Sequence, residues 1–225
     1  MKTLTRNSRN VWMFAAVLLL ALAVPATAGP ITYQVTIDTS SISGGSGYFL
    51  DLQLNPGDPS SQPLTALISL FDLGGGSLAG LPSVIGDVTG TLPASLTFVN
   101  DSFLNDYYQG FTAGASITFL LTLSGLAIDS PNGTATAGSS FGVSLYDVDN
   151  NPILTSDPGG LLGQINLGLD GQPTVLTNPA QVVGGPSAIT FTPQEQPPSS
   201  VPEPATAVLL CSAAAALIIV KRFRP

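Results

Sequence analysis

The chain has 225 residues, with six Lys or Arg, fourteen Asp or Glu and no His, for a formal net charge of −8. All six bases stand at positions 2, 6, 9, 221, 222 and 224, and all fourteen acids fall between Asp38 and Glu203, so the long body carries carboxylates alone. A body of that charge repels phosphate backbones, which excludes nucleic acid as a partner. With no His, no Lys and only Cys211 in the apolar tail, it also lacks an imidazole-assisted triad, a thiol nucleophile, a lysine base and any disulfide.

The amino end reads as a signal peptide over residues 1–28. Lys2, Arg6 and Arg9 form a basic region, Val11 to Val24 an apolar run of 14 residues, and Ala26-Thr27-Ala28 a small-residue site that signal peptidase cuts before Gly29. An uncleaved anchor is the competing reading, and the shortness of the run argues against it. Export by the Sec pathway follows, with a body of about 170 residues that suits one domain with one core.

Within the body the elements are short strands between turns. Ile31, Tyr33, Val35 and Ile37 alternate with Thr32, Gln34, Thr36 and Asp38, as in a half-buried strand. After the turn Ser43-Gly44-Gly45-Ser46-Gly47, alternation resumes from Tyr48 to Leu54 and stops at Asn55-Pro56-Gly57-Asp58-Pro59. Residues 64–73 form a third strand, and Gly74-Gly75-Gly76 opens a flexible loop to about Ser83; without a following lysine the glycines are no phosphate cradle. Two short strands follow, over 84–92 and 95–99, and residues 103–111 read as an aromatic-rich loop. Ile117, Phe119, Leu121 and Leu123 mark the clearest strand of the chain. Beyond a loop over 125–139, Phe141, Val143 and Leu145 are expected to pair with Ile153-Leu154-Thr155 across the turn Asp147 to Pro152. A second hairpin is expected from Ile165, Leu167 and Leu169 with residues 174–176, and Ile189 with Phe191 closes the body. No helical period is sustained anywhere in residues 29–191. The expected fold is all-β, an antiparallel β-sandwich that is jelly-roll-like or Ig-like.

Residues 192–200, T-P-Q-E-Q-P-P-S-S, have the composition of an extended spacer. Val201-Pro202-Glu203-Pro204 then precedes an apolar run over residues 205–220 and the basic tail Lys221 to Pro225. Sixteen helical residues span about 24 Å against a hydrocarbon core of roughly 30 Å, enough to cross with local thinning, and the basic tail holds that end in the cytoplasm. This plug, span and tail resemble the PEP-CTERM sorting signal of Gram-negative bacteria. The resemblance implies processing by an exosortase-type membrane transpeptidase that reads Val201, Pro202, Glu203 and Pro204. It further implies transient residence in the inner membrane, then release to the cell surface or extracellular matrix. Y-Q-V-T-I-D-T-S at 33–40, G-D-V-T-G-T-L-P at 86–93, N-D-Y-Y-Q-G-F at 105–111 and F-G-V-S-L-Y-D at 141–147 also resemble a subgroup of PEP-CTERM proteins that share an uncharacterised extracellular domain. That likeness implies no activity; family membership implies export by producers of exopolysaccharide.

Three classes of function follow. A structural protein of the surface, biofilm or exopolysaccharide matrix needs only export, a sorting tail and a stable acidic body, and this is the expected role, without enzymatic activity and without a cofactor other than a calcium ion. A glycan-binding module is the alternative, with Asn105, Asp106, Tyr107 and Tyr108 supplying rings to stack on sugars and groups to bond their hydroxyls. A carboxylate-pair glycosidase comes last, because the aspartates sit mostly at strand ends and in turns, where Asp is expected for its side-chain bonds to the backbone. Asp147, Asp149 and Asn151 repeat the start of a calcium loop, D-x-D-x-N. Pro152 and Pro158 then replace the glycine and the bidentate glutamate such a loop requires, so a plain hairpin turn competes with the metal site.

Overall fold

The computed structural model describes residues 29–180 and 186–195. Ala26 and Ala28 of the cleavage site, the motif Val201, Pro202, Glu203 and Pro204, the helix expected over 205–220 and the basic tail lie outside the described residues, and Gly29 is the first of them. Among the described residues no helix is long and apolar enough to cross a membrane.

The body is all-β. Its strands are β1 (Ile31–Asp38), β2 (Tyr48–Asn55), β3 (Thr65–Asp72), β4 (Ser77–Ile85), β5 (Val88–Thr91) and β6 (Ser95–Val99). They continue with β7 (Asn105–Thr112), β8 (Ser116–Ser124), β9 (Ser140–Tyr146), β10 (Leu161–Leu167), β11 (Pro173–Thr177) and β12 (Ile189–Pro193). A single turn of α-helix, α1 (Leu126–Asp129), interrupts the loop after β8. Two six-stranded sheets result, one in the order β12-β1-β8-β3-β6-β5 and the other β11-β10-β9-β2-β7-β4. Every pairing is antiparallel. Successive strands β1 to β4 fall in alternate sheets, as do β6 to β9, so most of the ladders join segments far apart in sequence.

Alternation explains how the two sheets meet. In β8 Ile117, Phe119, Leu121 and Leu123 are buried while the intervening residues are not, and β9 does the same with Phe141, Val143 and Leu145. These faces, with Val35 and Ile37, Leu50 to Leu54, Leu96 and Phe98, form one continuous apolar core, in which the Phe98 and Phe141 rings meet edge-on at 5.8 Å. Since the body has no basic side chain, this burial and the ladders hold it together without ion pairs.

Four expectations need correction. Residues 103–111 are not a loop, because β7 occupies Asn105–Thr112 and is paired on both edges, with β2 and with β4. The glycine-rich stretch after Gly76 is β4, an edge strand whose residues are mostly exposed; it bulges between Ala79 and Ser83, around Pro82, so no alternation marks it. Third, β9 pairs with β10 rather than with Ile153 to Thr155, which touch it through the Tyr146 and Pro152 bridge and one bond from Ile153 N–H to the Leu145 carbonyl. Fourth, the loop over 125–139 contains α1. The hairpin expected beside it is present as β10 and β11, and β12 closes the first sheet against β1.

Candidate functional site

The four residues expected at a ligand site lie on β7, where the two-residue period divides them between opposite faces. Asn105 and Tyr107 point inward and are fully buried; Asp106 and Tyr108 point outward and are half-buried. Asn105 is a structural bracket. Its Oδ1 accepts from Asp87 N–H at 2.7 Å, and its Nδ2 donates to the carbonyls of Leu54 at 2.9 Å and Ser102 at 2.8 Å. Tyr107 fills the core, and its hydroxyl accepts from Leu92 N–H at 3.3 Å. The structure thus leaves Asp106 and Tyr108 as the members of the set that can meet a ligand.

Around them, the outer face of the second sheet collects groups from three strands. Register places Asp51 of β2 beside Tyr108 of β7 and Ser144 of β9, and Gln53 beside Asp106. Asp51 stands at an outward position of β2, yet its neighbours cover it to 6 % exposure. Gln53 Nε2 donates to its Oδ2 at 3.1 Å, and its Oδ1 has no partner unless a proton is shared with Asp106. Asp106 Oδ1 and Asn55 Oδ1 are also buried atoms without partners. Burial, then the hydrogen bond to Asp106 and that residue's charge, push the Asp51 carboxyl up to about 8, against a smaller opposing pull from Gln53. So raised, the Asp51 carboxyl keeps its proton at neutral pH and can donate it to Asp106, which is how a body without bases accommodates the pair.

Aromatic rings border this pair. Phe49 and Tyr108 stack at 4.9 Å with planes 11° apart, and Tyr146 lies 6.3 Å from Tyr108 at 41°. Both phenols are raised, by burial first and then by the negative charge of Asp51 and its neighbours. Gly160 leaves room for the Tyr146 ring: a Cβ there would come within 2.5 Å of it, at a φ of +85° that other residues avoid. Beside the stack runs a groove of ≈ 350 Å³ with Phe49 and Tyr108 on one side, the bulge Ala79-Gly80-Leu81 on the other and Gly110 between them. Gly110 permits that approach, since a Cβ would meet the Ala79 carbonyl oxygen at 2.7 Å.

The turn after β9 has a different character. Asp147 Oδ1 accepts from the N–H groups of Asp149 at 2.9 Å and Asn151 at 2.8 Å, and its Oδ2 accepts from Asn151 Nδ2 at 3.1 Å. These bonds hold the Asp147 carboxyl below its ordinary range, those from Asn151 contributing most. Asn150, at φ 59°, receives the Tyr108 hydroxyl at 2.9 Å. The carboxylate of Asp147 is therefore committed to closing the turn, and no three acidic side chains gather around one point among the described residues.

Sequence reasoning missed Asp51. Within Y-F-L-D-L-Q-L-N it occupies an ordinary outward position, and only register with β7 brings it to Asp106, 55 positions away in the chain. Comparison with family models, with curated proteins and with solved structures finds no match to this chain.

Proposed function

We propose that the protein is an exported, non-enzymatic structural component of the cell surface or of an exopolysaccharide matrix, delivered through signal peptidase and an exosortase-type transpeptidase. The observation that carries this reading is the distribution of charge. All bases are confined to the two terminal segments with membrane-targeting patterns, and a stable acidic β body lies between them. The strand orders β1-β8-β3-β6 and β9-β2-β7-β4 favour the jelly-roll over the Ig-like arrangement for that body. Absence of catalysis fits the carboxylate pair as well: Asp51 and Asp106 are within hydrogen-bonding reach, closer than the roughly 5 Å or more that glycosidase carboxylates keep, and Asp51 is too covered to meet a substrate. Fractionation of the producing cells with intact mass measurement tests the whole reading. The expected mature chain begins at Gly29, ends near Pro204 and yields no internal tryptic fragment after boiling; a surface form that keeps Lys221 to Pro225 overturns it.

Glycan binding is a second reading that one observation favours, the groove beside the Phe49 and Tyr108 stack. It offers a ring face at its rim and a volume within the range of small-ligand pockets. Tyr108→Ala is expected to abolish retention on the producer's own polysaccharide while the fold persists. Equal retention of variant and parent removes the groove from the function.

A further inference from the structure

We propose that Asn132 is a site of spontaneous covalent modification, at which the backbone nitrogen of Gly133 closes on the side-chain amide and water then leaves aspartate or isoaspartate in its place. The body over residues 29–191 holds no Lys, His, Cys, Met or Trp, the usual targets of acylation and oxidation. Its asparagine amides remain, and the structure separates them, because the reaction needs a free N–H on the following residue. Asn55, Asn151 and Asn178 precede prolines, which have none. The N–H after Asn150 is donated to Asp147 Oδ1 and the one after Asn166 to the Ser139 carbonyl, each at 2.8 Å. Asn100 and Asn105 are buried, and the Nδ2 of each donates to two acceptors.

At Asn132 each requirement is met. It stands in the exposed loop after α1, and neither Gly133 N–H nor Asn132 Nδ2 bonds to a described residue. Gly133 has a φ of +65° with open space where a Cβ would stand, so its nitrogen turns toward the side chain without a clash. Thr134 donates to Asn132 Oδ1 from its N–H at 3.1 Å and from its hydroxyl at 2.9 Å. Those donors draw electrons from Cγ and stabilise the negative charge that the oxygen takes on under attack. The bond from Gly133 N to Cγ forms, the bond from Cγ to Nδ2 breaks, and the Gly133 proton passes by way of solvent to the departing ammonia. Water then adds to either carbonyl of the five-membered ring and opens it, with no oxidant or cofactor. Asp170-Gly171 presents the same spacing, but Gly171 N–H is donated to the Gly168 carbonyl at 3.0 Å and the group to be attacked is a carboxyl. The product adds a charge to a loop that Gln62 ties through Asn132 N–H and the Ser130 carbonyl and that Asp58 holds at Thr136, with no base to offset it. This chemistry belongs to the chain alone and stands apart from whatever the groove binds.

The test incubates the full chain, purified in detergent, in mildly alkaline buffer and follows it by chymotryptic mapping with mass measurement. Cuts after Leu126 and Phe141 isolate Asn132 from every other asparagine. That fragment is expected to convert progressively to a form carrying –OH in place of –NH2, in two chromatographic peaks, one for each direction of ring opening. Fragments with Asn150 and Asn166 are expected to keep their mass, and the fragment with Asp170 to stay a single peak. Gly133→Ala is expected to slow the conversion about tenfold, since a Cβ at that φ hinders the approach. An Asn132 fragment that keeps its mass, or that converts in Gly133→Ala as fast as in the parent, overturns the proposal. Splitting of the Asp170 fragment at the Asn132 rate in the folded chain also overturns it, because a free N–H would then not decide the site.

Discussion

The two outer faces of the sandwich follow the same alternation and end in opposite chemical states. On the first sheet, β1 and β8 set Thr32 opposite Thr122 and Thr36 opposite Thr118, with Gln34 between them. The threonine hydroxyls at 32 and 122 lie 3.0 Å apart, and Gln34 Nε2 donates to the Phe119 carbonyl at 3.2 Å. On the second sheet the corresponding positions hold Phe49, Asp51, Asn55, Asp106 and Tyr108, and all three buried oxygens without a partner among the described residues belong to this face. A β-branched hydroxyl ladder is self-sufficient on a pleated surface. A carboxyl pair under aromatic rings is not: it depends on a shared proton, so this face answers to pH where the first does not.

The largest expected effect comes from beneath that face. Asn105→Ala removes three bonds and strands the buried Leu54 carbonyl, which should cost about 2–4 kcal/mol of unfolding free energy in urea. Asn105→Asp is expected to be nearly as costly, because it keeps the acceptor for Asp87 N–H but loses both donors. A loss under about 1 kcal/mol would show that β7 is held by its ladders alone and that the bracket does not position Asp106 and Tyr108.

Next is the pH dependence of stability. Asp51 is raised from its ordinary 3.8 to about 8, so the folded state keeps a proton that the unfolded chain releases near pH 4. Its contribution is therefore present below about pH 4 and is lost as pH rises to about 8, with a slope of at most about 1.4 kcal/mol per pH unit. Urea unfolding across that window is expected to show stability falling with pH, and Asp51→Asn to flatten the fall. A wild-type profile that rises through the window contradicts the description of the pair. Any acidic side chain held ionised in the fold works in the opposite sense, as Asp147 does, but its effect lies below pH 4.

How much of this was legible follows from the same two faces. Strands β1, β2 and β8 were readable because each buries one face and wets the other, and the period of two survives in composition. Strand β7 was not, since Asn105 and Gln109 are buried polar residues whose partners lie in other segments, so the inward face does not look apolar. Strand β4 is an exposed edge with a bulge, and an edge of that kind imposes no pattern. The partner of β9 was misassigned because Ile153 to Thr155 is the nearer apolar stretch, whereas the ladder forms with Leu161–Leu167. Of the candidate site, Asp106 and Tyr108 could be named from the sequence. Asp51 could not, because a site assembled across a long-range ladder exists only once the register is known.

The smallest expected effect tests the comparison from its quiet side. Thr122→Val on β8 keeps the branched shape that suits a strand and removes one hydroxyl from the pair with Thr32. Both residues are half-buried, so Thr32 can turn its hydroxyl to water instead of being stranded. The lost bond is then offset by restored hydration and a slightly more apolar surface, and the change in unfolding free energy is expected to stay within about 0.5 kcal/mol. Its pH profile is expected to match the parent, because no carboxylate lies on that rung. A cost above about 1.5 kcal/mol, comparable with losing a buried polar partner, would mean that the threonine rungs are as demanding as the acidic pair. The contrast between a self-satisfied face and a deficient one would then fail at its first term.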